Sequence, residues 1–111
     1  MEITSRQFKR CDLVAATGRI DSNTAPQLAE AFDAINGANR FRIVLDMSGV
    51  DFISSAGLRV LISTQKICKR WNRGELVLAS VPQRIYEAMD LAGFLPLFKL
   101  CGDVTEAVGS F

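Results

Sequence analysis

The stretch Phe41-Arg-Ile-Val-Leu45-Asp-Met-Ser-Gly-Val50-Asp-Phe-Ile-Ser54-Ser55-Ala-Gly57-Leu58 decides the fold. Phe41 to Leu45 is a short, almost continuous apolar run bounded by polar residues. Such a run is best read as a strand covered on both faces, which implies a parallel or mixed sheet with helices packed on it. Asp46 to Asp51 reads as a polar turn, in which Asp46 and Ser48 set the shape. The two serines then open an amphipathic helix running from about Ser55 to Trp71. Leu58, Leu61 and Ile62 form its apolar stripe with Cys68 further along, and Val60, Ile67 and Trp71 widen it. Asn72-Arg-Gly74 closes it with the expected glycine.

Towards the N-terminus, Glu2 to Phe8 alternates weakly and reads as an edge strand. Lys9-Arg10 is a turn, and Cys11 to Arg19 is a second strand ending near Gly18. Asp21-Ser22-Asn23-Thr24-Ala-Pro26-Gln27 carries a helix start: Thr24 to cap, Pro26 in the first turn, Gln27 completing a capping box. Leu28, Phe32 and Ile35 follow at helical spacing, and Asn36-Gly37 closes the helix. Beyond Gly74, Glu75 to Ala79 is a strand, and Ser80-Val-Pro-Gln83 repeats the pattern seen at Thr24. Ile85, Met89 and Leu91 give the next helix an apolar side, with Gly93 at its end. A short strand spans Leu97 to Leu100, and Asp103 caps a last helix with Val104, Ala107 and Val108 facing inward. Strands alternating with helices indicate one α/β domain over residues 1–111: a mixed, mostly parallel sheet with about four helices packed on it.

The composition narrows the chemistry. The 111 residues carry thirteen Lys and Arg against twelve Asp and Glu, a net charge of +1. That balance argues against direct nucleic-acid binding, which needs a clear basic excess. Histidine is absent, so Ser-His-Asp and Cys-His catalysis cannot occur within the chain. Cys11, Cys68 and Cys101 include no CxxC pair, so no metal site is expected. They read as buried reduced thiols suited to a reducing compartment. No signal-peptide pattern or membrane span is present, and a cytoplasmic protein is the expectation. There is no P-loop or GxGxxG, and Asp46 and Asp51 have no acid–base partner. The chain therefore reads as a binding protein without a cofactor, not an enzyme.

Two serines at a helix start sit where backbone N–H groups are unpaired and the helix dipole is positive. Ser54 is the natural N-cap and Ser55 then lies in the first turn, pointing outward. Ala56 and Gly57 keep the surroundings small. A glycine inside a helix costs about 1 kcal/mol against alanine, which close packing on a strand or a partner would offset. Spacing alone leaves two readings: ordinary capping by both serines, or a hydroxyl displayed for phosphorylation or partner contact.

The runs Gly18-Arg-Ile-Asp21-Ser-Asn-Thr-Ala-Pro26 and Ile43-Val-Leu-Asp46-Met-Ser-Gly-Val-Asp-Phe-Ile-Ser-Ser-Ala-Gly-Leu-Arg-Val-Leu61 resemble the STAS-domain family, and more narrowly its stand-alone anti-sigma factor antagonists. The similarity continues through Gly74-Glu-Leu-Val-Leu78 and Ala92-Gly-Phe to Phe98. It implies a single STAS domain and phosphorylation at Ser55, with Ser54 as the alternative hydroxyl. Many members carry Asp where this chain has Ser54, and Ser or Thr where it has Ala56. The resemblance implies partner switching. The unmodified protein binds an anti-sigma factor that is also a serine kinase, phosphorylation releases it, and a serine phosphatase resets it. The implied partner-facing set is Asp21, Ser22, Asn23, Thr24, Asp51, Ser54, Ala56, Gly57 and Arg59. A STAS accessory subunit of a transporter or stress-sensing complex, without phosphorylation, is the alternative. Lys66, Lys69, Arg70 and Arg73 form a basic end to the second helix, read as a solvated face, with anion binding the other reading.

Overall fold

The computed structural model describes residues 1–111. Five strands form one sheet in chain order: β1 (Glu2–Gln7), β2 (Asp12–Ile20), β3 (Arg42–Ile53), β4 (Glu75–Ala79) and β5 (Lys99–Cys101). β1 runs antiparallel to β2, and the other neighbours are parallel. The intervening helices are α1 (Ala25–Gly37), α2 (Ser55–Lys69), α3 (Gln83–Leu91) and α4 (Val104–Gly109). The mixed, mostly parallel sheet with four helices is as the sequence implied. No helix is long and apolar enough to cross a membrane.

The central strands are buried on both faces, as the continuous apolar run requires. Ile43, Leu45, Leu76 and Leu78 share one core with Leu28 and Phe32 of α1, Leu58 and Leu61 of α2, and Ile85 and Met89 of α3. Val44, Val77 and Ala79 point the other way, into a smaller cluster closed by Ala107 of α4 with Cys11 and Cys101. Leu100, Val104 and Val108 pack at the edges of these clusters. Gln65, buried on α2, donates from Nε2 to the Leu76 and Leu97 carbonyls and accepts the Leu76 N–H at Oε1. One amide side chain thereby ties α2 to β4 and to the turn before β5.

Four expectations need correction. First, Asp46 to Asp51 is not a turn, because β3 runs on to Ile53. Its buried residues there are Met47, Val50 and Ile53, spaced by three. Register shifts against β2 fall between Ala15 and Thr17 and between Gly18 and Arg19, so β3 carries an extra residue at each. Two bulges replace strict alternation, and the segment loses the period of a strand. Asp46 shapes the first bulge, accepting the Ser48 N–H at 3.0 Å.

Second, Thr24 does not cap α1 through its side chain, and its own backbone is helical. Its hydroxyl donates to the Arg19 carbonyl and accepts from the Asp21 N–H. Asp21 takes over, accepting the Asn23 and Thr24 amides on one carboxylate oxygen. Ser80 likewise caps nothing: its hydroxyl donates to the Gly102 carbonyl, and α3 starts after Pro82. Third, Trp71 and Leu91 are not core residues, being 81% and 93% exposed. Fourth, the chain leaves α2 through Trp71 and Asn72 at φ of 62° and 55°, not through a left-handed glycine. Gly74 is needed for another reason. A Cβ there would stand 2.2 Å from the Phe41 carbonyl oxygen.

Candidate functional site

Parallel strands place the loops after β2 and β3 at the same end of the sheet. The Ser54 N–H donates to the Ile20 carbonyl at 2.8 Å, fastening the entry of α2 to the exit of β2. Ser54 has extended backbone, and its hydroxyl accepts the Gly57 N–H at 3.3 Å, so it is the N-cap. Ser55 is the first residue of α2. It is exposed and its hydroxyl makes no hydrogen bond within the chain. The two serines thus differ in kind: one hydroxyl is engaged and the other is free.

Gly57 lies buried beneath them. A Cβ on it would stand 2.7 Å from both Ile20 Cγ2 and Ile53 Cγ1. The glycine lets the first turn of α2 press onto the ends of β2 and β3, which fixes where Ser55 projects. Gly57 itself presents nothing to the surface. Ala56 is half-buried, and Arg59 is exposed one turn beyond Ser55 on the same helix face. From Arg59 a shallow groove of about 290 Å³ runs between α1 and α2, lined by Ala29, Asp33, Ser63 and Ile67 among others.

The loop from Asp21 to Thr24 stands beside this corner. Ser22 and Asn23 are exposed, while Asp21 and Thr24 are half-buried. The Asn23 amide above all holds the Asp21 carboxyl below the usual carboxylate range. Desolvation is the next effect in size and opposes this, while the Thr24 amide and hydroxyl and Arg19 add smaller contributions in the same downward direction. Arg19 Nε lies 3.3 Å from Asp21 Oδ2, and the same guanidinium stacks over Phe52, 4.0 Å from the ring centroid. Asp51 is exposed on the last stretch of β3. The corner therefore gathers Asp21, Ser22, Asn23, Thr24, Asp51, Ser54, Ser55, Ala56 and Arg59 at one end of the sheet, with Gly57 supporting from below. Arg19 and Phe52 were missed from sequence. They face each other in the β2–β3 register, which the bulges make unreadable beforehand.

Nothing here forms a metal centre, since no group of three or more Cys, Asp or Glu is placed to hold an ion. Burial raises the pKa of all three thiols, which are free.

The STAS domain family model matches residues 2–107, nearly the whole of this five-stranded mixed sheet and its helices. The chain belongs to that family. It is 31% identical over 111 residues to BtrV of Bordetella bronchiseptica, covering 100% of this chain and 95% of that protein; BtrV is named, provisionally, as an anti-sigma factor antagonist. It is 34% identical over 92 residues to the anti-sigma-F factor antagonist RsfB of Mycobacterium tuberculosis, covering 82% of this chain and 75% of that one. Among solved structures it superposes on the anti-sigma factor antagonist SpoIIAA in its unphosphorylated form with a TM-score of 0.82 and 14% identity, covering 98% and 95% of the two chains. For the phosphorylated form of SpoIIAA, from Bacillus, the TM-score is 0.76 at 12% identity, covering 98% of each chain. At those identities the structures speak for the fold alone.

Proposed function

We propose that this STAS domain is an anti-sigma factor antagonist whose binding is switched off by phosphorylation of Ser55. The observation that carries this reading is the free, exposed hydroxyl of Ser55 on the first residue of α2, beside a Ser54 hydroxyl occupied as the cap. The partner is an anti-sigma factor with serine kinase activity. Ser55 Oγ attacks the γ-phosphorus of the kinase's ATP, the bond to the β-phosphate breaks to release ADP, and the hydroxyl proton passes to a base of the kinase. The names of BtrV and RsfB, and the existence of SpoIIAA in a phosphorylated form, support the same reading.

In the unmodified protein, the small residues around Ser55 allow a partner's backbone to come close. Asp21, Ser22, Asn23, Thr24, Asp51 and Arg59 supply polar contacts around it. Phosphate adds about −1.5 to −2 charges at the centre of that contact. The Asp21 and Asp51 carboxylates face the same end of the sheet, so the added charge meets like charge as well as desolvation. Within the isolated domain, the helix N-terminus accommodates the phosphate. The switch therefore acts on binding rather than on the fold, and a serine phosphatase reverses it.

The test is incubation with a candidate anti-sigma kinase and Mg-ATP, followed by mass mapping. A single phosphate on Ser55, absent from Ser55→Ala, supports the switch. Modification at Ser54 would move the site by one residue. Stable binding without modification would favour an accessory STAS module instead.

A further inference from the structure

At the other end of the sheet, two adjoining grooves open where β2, β3 and β4 begin. One, of about 240 Å³, lies among the Lys9-Arg10 turn, Arg40, Arg42 and Arg73. The other, of about 440 Å³, continues from Arg42 and Arg73 to Lys69 and the start of β4. Lys9, Arg10, Arg40, Arg42, Lys69 and Arg73 line the pair. The carboxylates facing them are Asp12 and Glu75, and Asp12 is already ion-paired with Arg40. Six of the thirteen Lys and Arg residues of a chain of net charge +1 thus surround two adjoining grooves that hold only two carboxylate side chains.

Two of these guanidinium groups are held in place. Arg73 lies over the Phe41 ring, 3.6 Å from its centroid, and donates from Nε to the Arg70 carbonyl and from Nη2 to the Ile67 carbonyl. Gly74 makes this possible, because a side chain there would collide with the Phe41 carbonyl and lift β4 away. Arg40 donates from Nη2 to the Phe8 and Cys11 carbonyls and from Nε to Asp12. In both arginines the Nη1 hydrogens remain unused within the chain. Lys9, Arg10, Arg42 and Lys69 form no ion pair, for the chain holds only Arg19–Asp21 and Arg40–Asp12. Gathering unpaired like charges around a hollow is unfavourable until an anion enters it. Fixed planar guanidiniums suit the oxygens of a phosphate.

We infer that these grooves bind two or more closely spaced phosphate groups, bridged by the shared Arg42 and Arg73. Free polyphosphate and the crowded phosphate headgroups of an anionic bilayer offer the same chemistry. The twelve residues of β3, at about 3.3 Å each, separate the grooves from Ser55 by far more than the Debye length of about 8 Å. Binding here is therefore independent of the phosphorylation state of that serine and of the proposed antagonist role.

The experiment titrates the ¹⁵N-labelled full chain with pyrophosphate and tripolyphosphate at about 0.15 M salt. Saturable shifts are expected for residues 9–12, 39–42 and 69–75 and not for 54–57. The double variant Arg42→Gln/Lys69→Gln should bind about tenfold more weakly or worse, and Lys66→Gln, outside both grooves, should bind as wild type. Both substituted side chains are exposed, and the same spectra verify the fold. A second arm compares sedimentation with phosphatidylglycerol and phosphatidylcholine vesicles. Retention on the former alone, lost in the double variant, assigns the site to headgroups even where the free anions bind poorly. Absence of saturable binding in both arms, or binding that the double variant keeps, overturns the inference.

Discussion

The Ser54 amide and the Ile20 carbonyl are joined by a 2.8 Å hydrogen bond, which ties the exit of β2 to the entry of α2. Everything assigned to the serine corner depends on that joint. It brings the Asp21 loop, which follows Ile20 directly, to the serine that caps α2. The packing below it depends on an absent side chain, that of Gly57.

Gly57→Ala gains about 1 kcal/mol of helix propensity. It also drives a methyl group into Ile20 and Ile53 at 2.7 Å. Overpacking of this kind costs about 1–3 kcal/mol, so the net change is a loss. Chemical denaturation should show a lower midpoint at unchanged slope. A midpoint equal to wild type or higher would mean that the two isoleucines shift aside freely.

The serines should separate cleanly in stability measurements. Ser54→Ala removes the cap and should cost about 1 kcal/mol, whereas Ser54→Asp keeps a capping oxygen and should stay near wild type. Ser55→Ala and Ser55→Asp, at an exposed position with no hydrogen bond to lose, should each remain within about 0.5 kcal/mol. Ser55→Asp should nevertheless bind the anti-sigma factor more weakly. Thermal melts alongside binding isotherms check both halves; a large loss of stability in Ser55→Asp would undo the division between fold and switch.

Asp21 should leave its mark on the acid limb. Its folded pKa lies below the ordinary value because the Asn23 amide, then the Thr24 amide and hydroxyl and Arg19, favour the carboxylate. A depressed folded pKa contributes stability that is fully present above the unfolded pKa of about 3.9 and is lost as pH falls through the folded value. The stability difference between wild type and Asp21→Asn should therefore be largest above that pH and shrink below it. A carboxyl titration by NMR should place the Asp21 midpoint beneath those of exposed aspartates. A midpoint at the ordinary value would contradict the hydrogen-bonded loop.

Gln65→Leu preserves bulk but leaves the Leu76 N–H and the Leu76 and Leu97 carbonyls without their partner. The loss should be about 3 kcal/mol or more, since three groups are left unsatisfied and each costs about 1–3 kcal/mol when buried. Hydrogen exchange should localise the damage to β4 and the Leu95–Leu97 turn. Uniform protection across the chain would assign Gln65 no special part in docking α2.

The apolar run Ile43–Leu45 was readable because a strand buried on both faces needs no periodicity, only uninterrupted apolar residues. Ser54 as cap was readable for the same local reason: a hydroxyl directly before a helical stripe. The second half of β3 was not, because its two bulges turn alternation into a spacing of three at Met47, Val50 and Ile53. Thr24 matched a capping box, yet the Asp21 carboxylate caps the chain one turn earlier, and the Thr24 hydroxyl is spent on the Arg19 carbonyl and the Asp21 amide. Leu91 and Trp71 fell on apolar faces by spacing, but Leu91 is the last residue of α3, and Trp71 lies beyond the end of α2, turned away by its left-handed backbone. The Arg19–Phe52 stack required a register that only the folded sheet supplies.

Because β4 pairs with β3 only as far as Asp46, the rest of β3 projects past its neighbour like a cantilever, with β2 as its sole strand partner and Met47, Val50 and Ile53 rooted in the core. The arm ends at Ile53 and carries the start of α2 on its tip. An incoming protein therefore meets a promontory with one open flank. The two kinks along the arm and the charge of Asp51 keep that flank from pairing with stray strands. The same protrusion that makes the serine easy to reach also sets the side from which it can be reached.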